Sequence, residues 1–149
     1  MQYLTNQRID AGALSEQVSR PGSGGVVLFL GTVREMTDGR VTTALHYDAY
    51  PEMAEKKMAE IETEARVRWP VGELILVHRL GRLEVGEISV AVAVSCPHRQ
   101  QAFDCCRFVI DRVKEIVPIW KQENWADGTK EWVHPGVPPE AEPTREVGS

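Results

Sequence analysis

The sequence predicts an α+β fold in which a mainly antiparallel sheet carries two long helices. Three observations lead there. Short β-rich apolar runs are separated by glycine-bearing turns, two longer stretches repeat their apolar residues at helical spacing after a proline, and adjacent strands return too soon for regular parallel crossovers.

The elements follow in chain order. A short strand is expected within residues 3–9, and Asp10 then caps a brief helix that runs to Val18. Pro21-Gly22-Ser23-Gly24-Gly25 breaks that helix and forms a loop. Val26-Val27-Leu28-Phe29-Leu30 reads as a buried strand that delivers Gly31-Thr32-Val33-Arg34 at its end. Asp38-Gly39 turns the chain back into a strand over residues 41–48, with Val41, Thr43, Leu45 and Tyr47 expected on one face. Pro51 suits the first turn of a helix whose apolar positions are Met53, Ala54, Met58, Ile61 and Ala65, ending at Trp69-Pro70. Residues 73–79 and 87–95 are two strands central to the sheet, and the glycines at 81 and 86 mark the connection between them as a turn. Pro97 opens the second long helix. Its apolar arc comprises Ala102, Phe103, Cys106, Val109, Ile110, Val113 and Val117, and Pro118 stops it. Residues 119–125 and 129–133 close the fold as a hairpin around Asp127-Gly128. Two regions result: a folded domain over residues 1–133 and a proline-rich, flexible tail over residues 134–149.

Composition narrows the function classes. A chain of 149 residues with 42% hydrophobic content can bury one core without crosslinks. A net charge of −5 argues against a broad nucleic-acid or anionic-membrane surface, so any anionic ligand must be small and locally bound. Cys96, Cys105 and Cys106 form neither a CxxC pair nor a Cys/His metal array, and they are expected to be reduced and structural. The first residues lack the basic start and apolar run of a signal peptide, and no apolar stretch spans a bilayer, so a cytoplasmic location is expected.

Several basic residues then stand out. His98-Arg99 opens the second long helix, where free backbone N–H groups and the positive end of the dipole favour an anion. Arginine adds a planar fork matched to phosphate, although a solvated first-turn pair would have the same sequence. Arg34 leaves a buried strand, a place for a pocket rim or for an ordinary solvated arginine. On a helical wheel Lys114 lies about 20° from Phe103 and about 40° from Ile110, at the border of the apolar arc. There it either snorkels to water or, partly desolvated, becomes a usable base or nucleophile. Lys121 follows just beyond Pro118, and strand alternation puts it on the same face as Glu123. That pair is either an exposed ion pair of little consequence or a pocket lysine fixed by its carboxylate. His78-Arg79 ranks lower, as a pair at a strand end suited to packing or surface roles.

In combination these segments resemble the large subunit of molybdopterin synthase, the MoaE family. The motifs are Phe29-Leu30-Gly31-Thr32-Val33-Arg34, Tyr47-Asp48-Ala49-Tyr50-Pro51-Glu52-Met53-Ala54, Val77-His78-Arg79-Leu80-Gly81, His98-Arg99 before Ala102-Phe103, Lys114 with Val117-Pro118-Ile119-Trp120-Lys121-Gln122-Glu123, and Trp132-Val133. The resemblance implies an α/β-hammerhead-type fold, a homodimer, and a small ubiquitin-like carrier (MoaD-like) docked on each copy to give a heterotetramer. It further implies sulfur transfer from thiocarboxylated carrier termini to cyclic pyranopterin monophosphate, forming molybdopterin in molybdenum cofactor biosynthesis, with no metal or other cofactor in this step.

Carried over by position, Arg34, His98, Arg99, Lys114 and Lys121 line the substrate pocket, joined by Gln122 and Glu123. Arg34, His98 and Arg99 are expected to hold phosphate and developing charge. Lys121 is the first choice for proton transfer or covalent assistance, and Lys114 positions the carrier terminus or shares that role. Gln122 stands where many relatives have a basic residue, so only its backbone can serve in that capacity. The chain ends in Val147-Gly148-Ser149 without the Gly-Gly of such carriers, so a separate carrier is expected. Two rival readings share these residues: a non-catalytic sensor of a phosphorylated metabolite, and a structural adaptor for a ubiquitin-like protein.

Overall fold

The computed structural model describes residues 2–133. Its elements are β1 (Leu4–Thr5), α1 (Ala11–Val18), β2 (Gly25–Thr32), β3 (Met36–Thr37), β4 (Arg40–Ala49), α2 (Pro51–Arg68), β5 (Glu73–Arg79), β6 (Gly81–Glu84), β7 (Ile88–Cys96), α3 (Arg99–Ile116), β8 (Ile119–Trp125) and β9 (Lys130–Val133). The expected tail at 134–149 lies outside the described residues.

The apolar runs pair with one another around β7, the strand they bury most completely. One sheet has the order β1-β5-β7-β2, with β5 and β7 central as expected. Its β2–β7 and β5–β7 ladders are antiparallel, and the short β1–β5 contact is parallel. Strand β7 is buried along nearly its whole length because both faces are covered. On one face α1 packs Leu14 and Val18 over Ala91 and Ala93. On the other, α2 and α3 supply Met58, Ile61, Val109 and Val113 to the main core with Leu74, Leu76, Val92 and Val94. Asp10 caps α1 as read, its carboxylate accepting from the Ala13 N–H at 3.1 Å, and Pro51 occupies the first turn of α2.

The second sheet is built on β4, which pairs antiparallel with β3, β6 and β8, while β9 closes onto β8. The two sheets share a chain segment at Leu80-Gly81, where β5 ends and β6 begins. Gly81 has φ +95°, a left-handed conformation that a side chain resists, and it turns the strand from one sheet into the other. This corrects the reading of residues 81–86 as a simple turn: residues 81–84 are a strand on β4, and the tight reversal is confined to the positive-φ Gly86 region.

Three further differences have local causes. The first strand shrinks to Leu4–Thr5 because it meets only the end of β5, at His78 and Arg79. In β4 the expected face holds at Leu45 and Tyr47 but not at Val41 and Thr43, where Thr42 and Ala44 are buried instead. A shift in the β4–β8 register between Thr42 and Ala44 absorbs one residue and exchanges the faces. Met53 and Phe103, placed on apolar helical stripes, are exposed, and α3 buries Cys105 instead.

Candidate functional site

Arg34, Lys114, Lys121 and Glu123 converge on one cleft, although they come from different parts of the chain. Gly31, Thr32, Thr37, Leu45, Tyr47 and Ser89 complete its wall, and it encloses about 520 Å³ of empty space open to solvent. Each charged residue is placed by an ordinary structural device. Val33 is buried and holds the chain just before Arg34, its N–H donating to Glu87 O at 3.0 Å and its carbonyl accepting from Gly86 N–H at 2.8 Å. Lys114 stands in the last turn of α3, the end of a helix that favours a cation. The β4–β8 register sets Tyr47 opposite Lys121 and Leu45 opposite Glu123, so four cleft residues lie side by side on two strands.

The Lys121–Glu123 pair is not the exposed surface pair that alternation alone would allow. Lys121 Nζ lies 3.1 Å from Glu123 Oε2, with side chains 18% and 3% exposed. The other oxygen of Glu123 accepts from Thr42 Oγ1 at 3.1 Å. Thus the carboxylate is buried but satisfied, and Lys121 is held in one geometry. Lys114 has a different environment. The residue remains open to solvent, but burial at the cleft, followed by the charges of Lys121 and Arg34, pulls its amine below the ordinary lysine range. Burial also raises the Tyr47 phenol, with a hydrogen bond to Ser89 acting in the opposite direction.

Three cations therefore face one carboxylate that is already committed to Lys121. In a chain of net charge −5 this is a concentrated positive site, suited to a small anion with a nearby amine for chemistry.

His98 and Arg99 do not join this cleft within one chain. They are exposed at the start of α3, where the Gln101 side chain accepts from the His98 N–H at 3.2 Å. Fifteen residues of helix separate Arg99 from Lys114, about 22 Å at 1.5 Å per residue. Gln122 also stays outside the lining, because its neighbours Lys121 and Glu123 take the inward face. Sequence reading missed Tyr47, Ser89, Thr32 and Thr37 as wall residues. Tyr47 offered a signal, a polar-tipped aromatic beside Leu45 on the expected inward face; the others offered none.

All three cysteines are free and buried, as expected for structural residues. Burial raises Cys105 to about 12 and Cys106 to about 11, far from thiolate chemistry at neutral pH.

A family model described as MoaE protein matches residues 4–116. The chain belongs to the MoaE family. Among MoaE relatives, the molybdopterin synthase catalytic subunit of Halalkalibacterium halodurans is 47% identical over 130 residues, covering 87% of this chain and 83% of that one. The crystal structure of molybdopterin synthase from Staphylococcus aureus superposes with a TM-score of 0.82 at 42% identity, covering 88% of this chain and 95% of that chain. A complex of subunits 1 and 2 of the molybdopterin-converting factor from Helicobacter pylori shares the MoaE fold at 20% identity, with a TM-score of 0.71 and 87% coverage of each chain. The α+β architecture expected from the sequence is the MoaE architecture. Among the described residues, no helix is long and apolar enough to cross a membrane.

Proposed function

We propose that this MoaE-family chain is the catalytic subunit of a molybdopterin synthase, transferring sulfur from a thiocarboxylated carrier protein to cyclic pyranopterin monophosphate. The observation that carries the reading is the cleft in which Arg34, Lys114 and Lys121 surround the buried Glu123. A phosphate-bearing substrate needs fixed positive charge, and sulfur transfer at its carbons needs a group that moves protons. Arg34 supplies the first as a permanent cation. Lys121, held by Glu123, is assigned to proton transfer or covalent assistance, and Lys114, with its weakened hold on a proton, to positioning the carrier terminus or sharing that step.

The H. halodurans relative is named a catalytic subunit, which supports a second subunit as sulfur donor. Residues 1–133 form the catalytic domain in this reading. His98 and Arg99 contribute to phosphate binding from a second copy of the chain, since about 22 Å of α3 separates them from their own cleft. A homodimer with a carrier on each copy satisfies both requirements. The buried, unpaired thiols fit a cytoplasmic location.

The test is pterin sulfuration by the purified chain with cyclic pyranopterin monophosphate and thiocarboxylated carrier. Product from wild type but not from Lys121→Ala is the expected result. Product from both would move the chemistry away from Lys121, and product from neither would overturn the synthase reading.

A further inference from the structure

Lys121 has a carboxylate to hold it, whereas Lys114 has no ion-pair partner among the described residues. It lies within the influence of two other cations and carries a long, flexible side chain. No carboxylate, then, defines where its amine sits. Adjoining the cleft, and sharing Tyr47 and Lys114 with it, is a second, smaller cavity lined also by His78, Val113, Val117 and Ile119. Its volume is about 20 Å³. One water needs roughly 10–15 Å³, with two to four polar partners. The wall offers Tyr47, His78 and Lys114 as those partners.

His78 is suited to the acceptor role. It is 3% exposed, and its ring meets that of Tyr47 edge-on with centroids 4.8 Å apart, so it has little freedom to turn. Its Nδ1 lies 2.8 Å from the carbonyl oxygen of Arg79. A carbonyl only accepts, so Nδ1 carries the proton and Nε2 keeps its lone pair. Burial, only partly offset by that bond, pushes the imidazole down to about 4 with the Lys114 charge adding to the effect, so the ring is neutral at physiological pH.

We infer that His78 is a positioning residue for Lys114: through one water in the cavity that both residues line, its Nε2 accepts the hydrogen bond that fixes the Lys114 amine at the cleft. This rests on the synthase reading for its catalytic meaning but not for its geometry. A neutral acceptor orients the amine without adding a carboxylate that would compete with an anionic substrate.

Two amide substitutions separate positioning from mere packing. His78→Asn places its amide near Nδ1 and can keep the bond to Arg79 O but offers nothing at Nε2. His78→Gln reaches the Nε2 position and restores an acceptor there. The first readout is acetylation of Lys114 against pH, followed by mass spectrometry of its peptide. Arg34, Lys121 and Glu123 across the cleft, Tyr47 on β4 and His78 on β5 are the groups that face this amine, and only His78 changes. An accepted bond favours the charged amine, so its loss in Asn should lower the Lys114 midpoint by about half to one unit, with Gln closer to wild type.

The second readout is sulfuration. Turnover in Asn should fall at least about fivefold below Gln, with KM for the pterin little changed, as expected when a single hydrogen bond positioning an amine is lost. Asn matching or exceeding Gln, or one midpoint shared by all three proteins, would overturn the inference. Nitrogen NMR gives a counterpart that leaves His78 intact. Nε2 should be shielded by its hydrogen bond in wild type and lose that shielding in Lys114→Met, a change at a solvent-reaching side chain. An unchanged Nε2 signal would also overturn it. A wild-type chain without turnover would defeat the synthase reading instead, leaving the acetylation and NMR results to decide the role of His78.

Discussion

Replacing Glu123 with glutamine should release the Lys121 amine from its carboxylate partner on β8 while leaving the shape of the cleft nearly intact. The magnitude follows from the pair's geometry. At 3.1 Å and an effective dielectric constant of about 20, the Coulomb attraction is about 5 kcal/mol before the cost of removing both groups from water. Glu123 is almost fully buried and Lys121 only slightly exposed, so desolvation takes back a large part. A net coupling of about 1–3 kcal/mol remains, above the median for exposed pairs. A double-mutant cycle isolates it, using urea unfolding at neutral pH of wild type, Glu123→Gln, Lys121→Met and the double variant. The single Glu123→Gln variant should also keep pterin binding, because it removes a negative charge from an anion site, while turnover falls because the amine is no longer held. A coupling below about 0.3 kcal/mol would refute the argument, since the two sites would then be additive within ordinary error.

Other perturbations test other parts of the structure. Because His78 is held near 4 in the fold and lies near 6.5 when unfolded, the unfolded chain binds its proton first as pH falls. The stability contribution is fully present above about pH 6.5 and is lost progressively toward pH 4, up to about 3 kcal/mol; urea melts across that range should show a shallower decline for His78→Gln. Gly31→Ala would put a Cβ 2.6 Å from Val90 Cγ1, inside a core with no room to yield, so unfolding free energy should drop by about 1–3 kcal/mol and sulfuration with it. Finally, a mixture of Arg99→Ala and Lys121→Ala chains should recover about a quarter of wild-type sulfuration after subunit exchange, because half of the dimers would contain one intact site. No recovery would refute a site shared between two copies of the chain.

The helices and central strands were legible because burial on one or both faces imposes a period that survives in the sequence. Ala54, Met58, Ile61 and Ala65 keep one face of α2 in the core, and the residues of β5 alternate into it. The errors fall where periodicity is blind. A bulge between Thr42 and Ala44 exchanges the faces of β4 without changing its composition. Met53 and Phe103 satisfy the helical period yet lie beyond the edge of what α2 and α3 cover, so they stay exposed. β6 was hidden because its glycine-flanked sequence looks like a turn, and only its pairing with β4 makes it a strand.

The site was legible in a more limited way, for a reason that bears on how it works. Lys114 was unusual on a helical wheel and Lys121 was two residues from a carboxylate, and both are local properties. What joins them is the β4–β8 register and the packing of the α3 end, neither of which is written in either segment. Tyr47 enters the cleft only because that register puts it opposite Lys121, and His78 and Lys114 line one cavity only because the end of β5 and the last turn of α3 both border it. The positive site is consequently more sensitive to sheet register than to any single basic residue. A change that shifts β8 by one position would move Lys121 and Glu123 to the opposite face together and leave Arg34 and Lys114 without both the second amine and its carboxylate. The hydrogen bond from Thr42 on β4 to the Glu123 carboxylate on β8 ties the two strands across that register, while the Lys121–Glu123 pair stays within β8. Hence Glu123, the carboxylate that holds the Lys121 amine, also helps resist the slip that would dismantle the site.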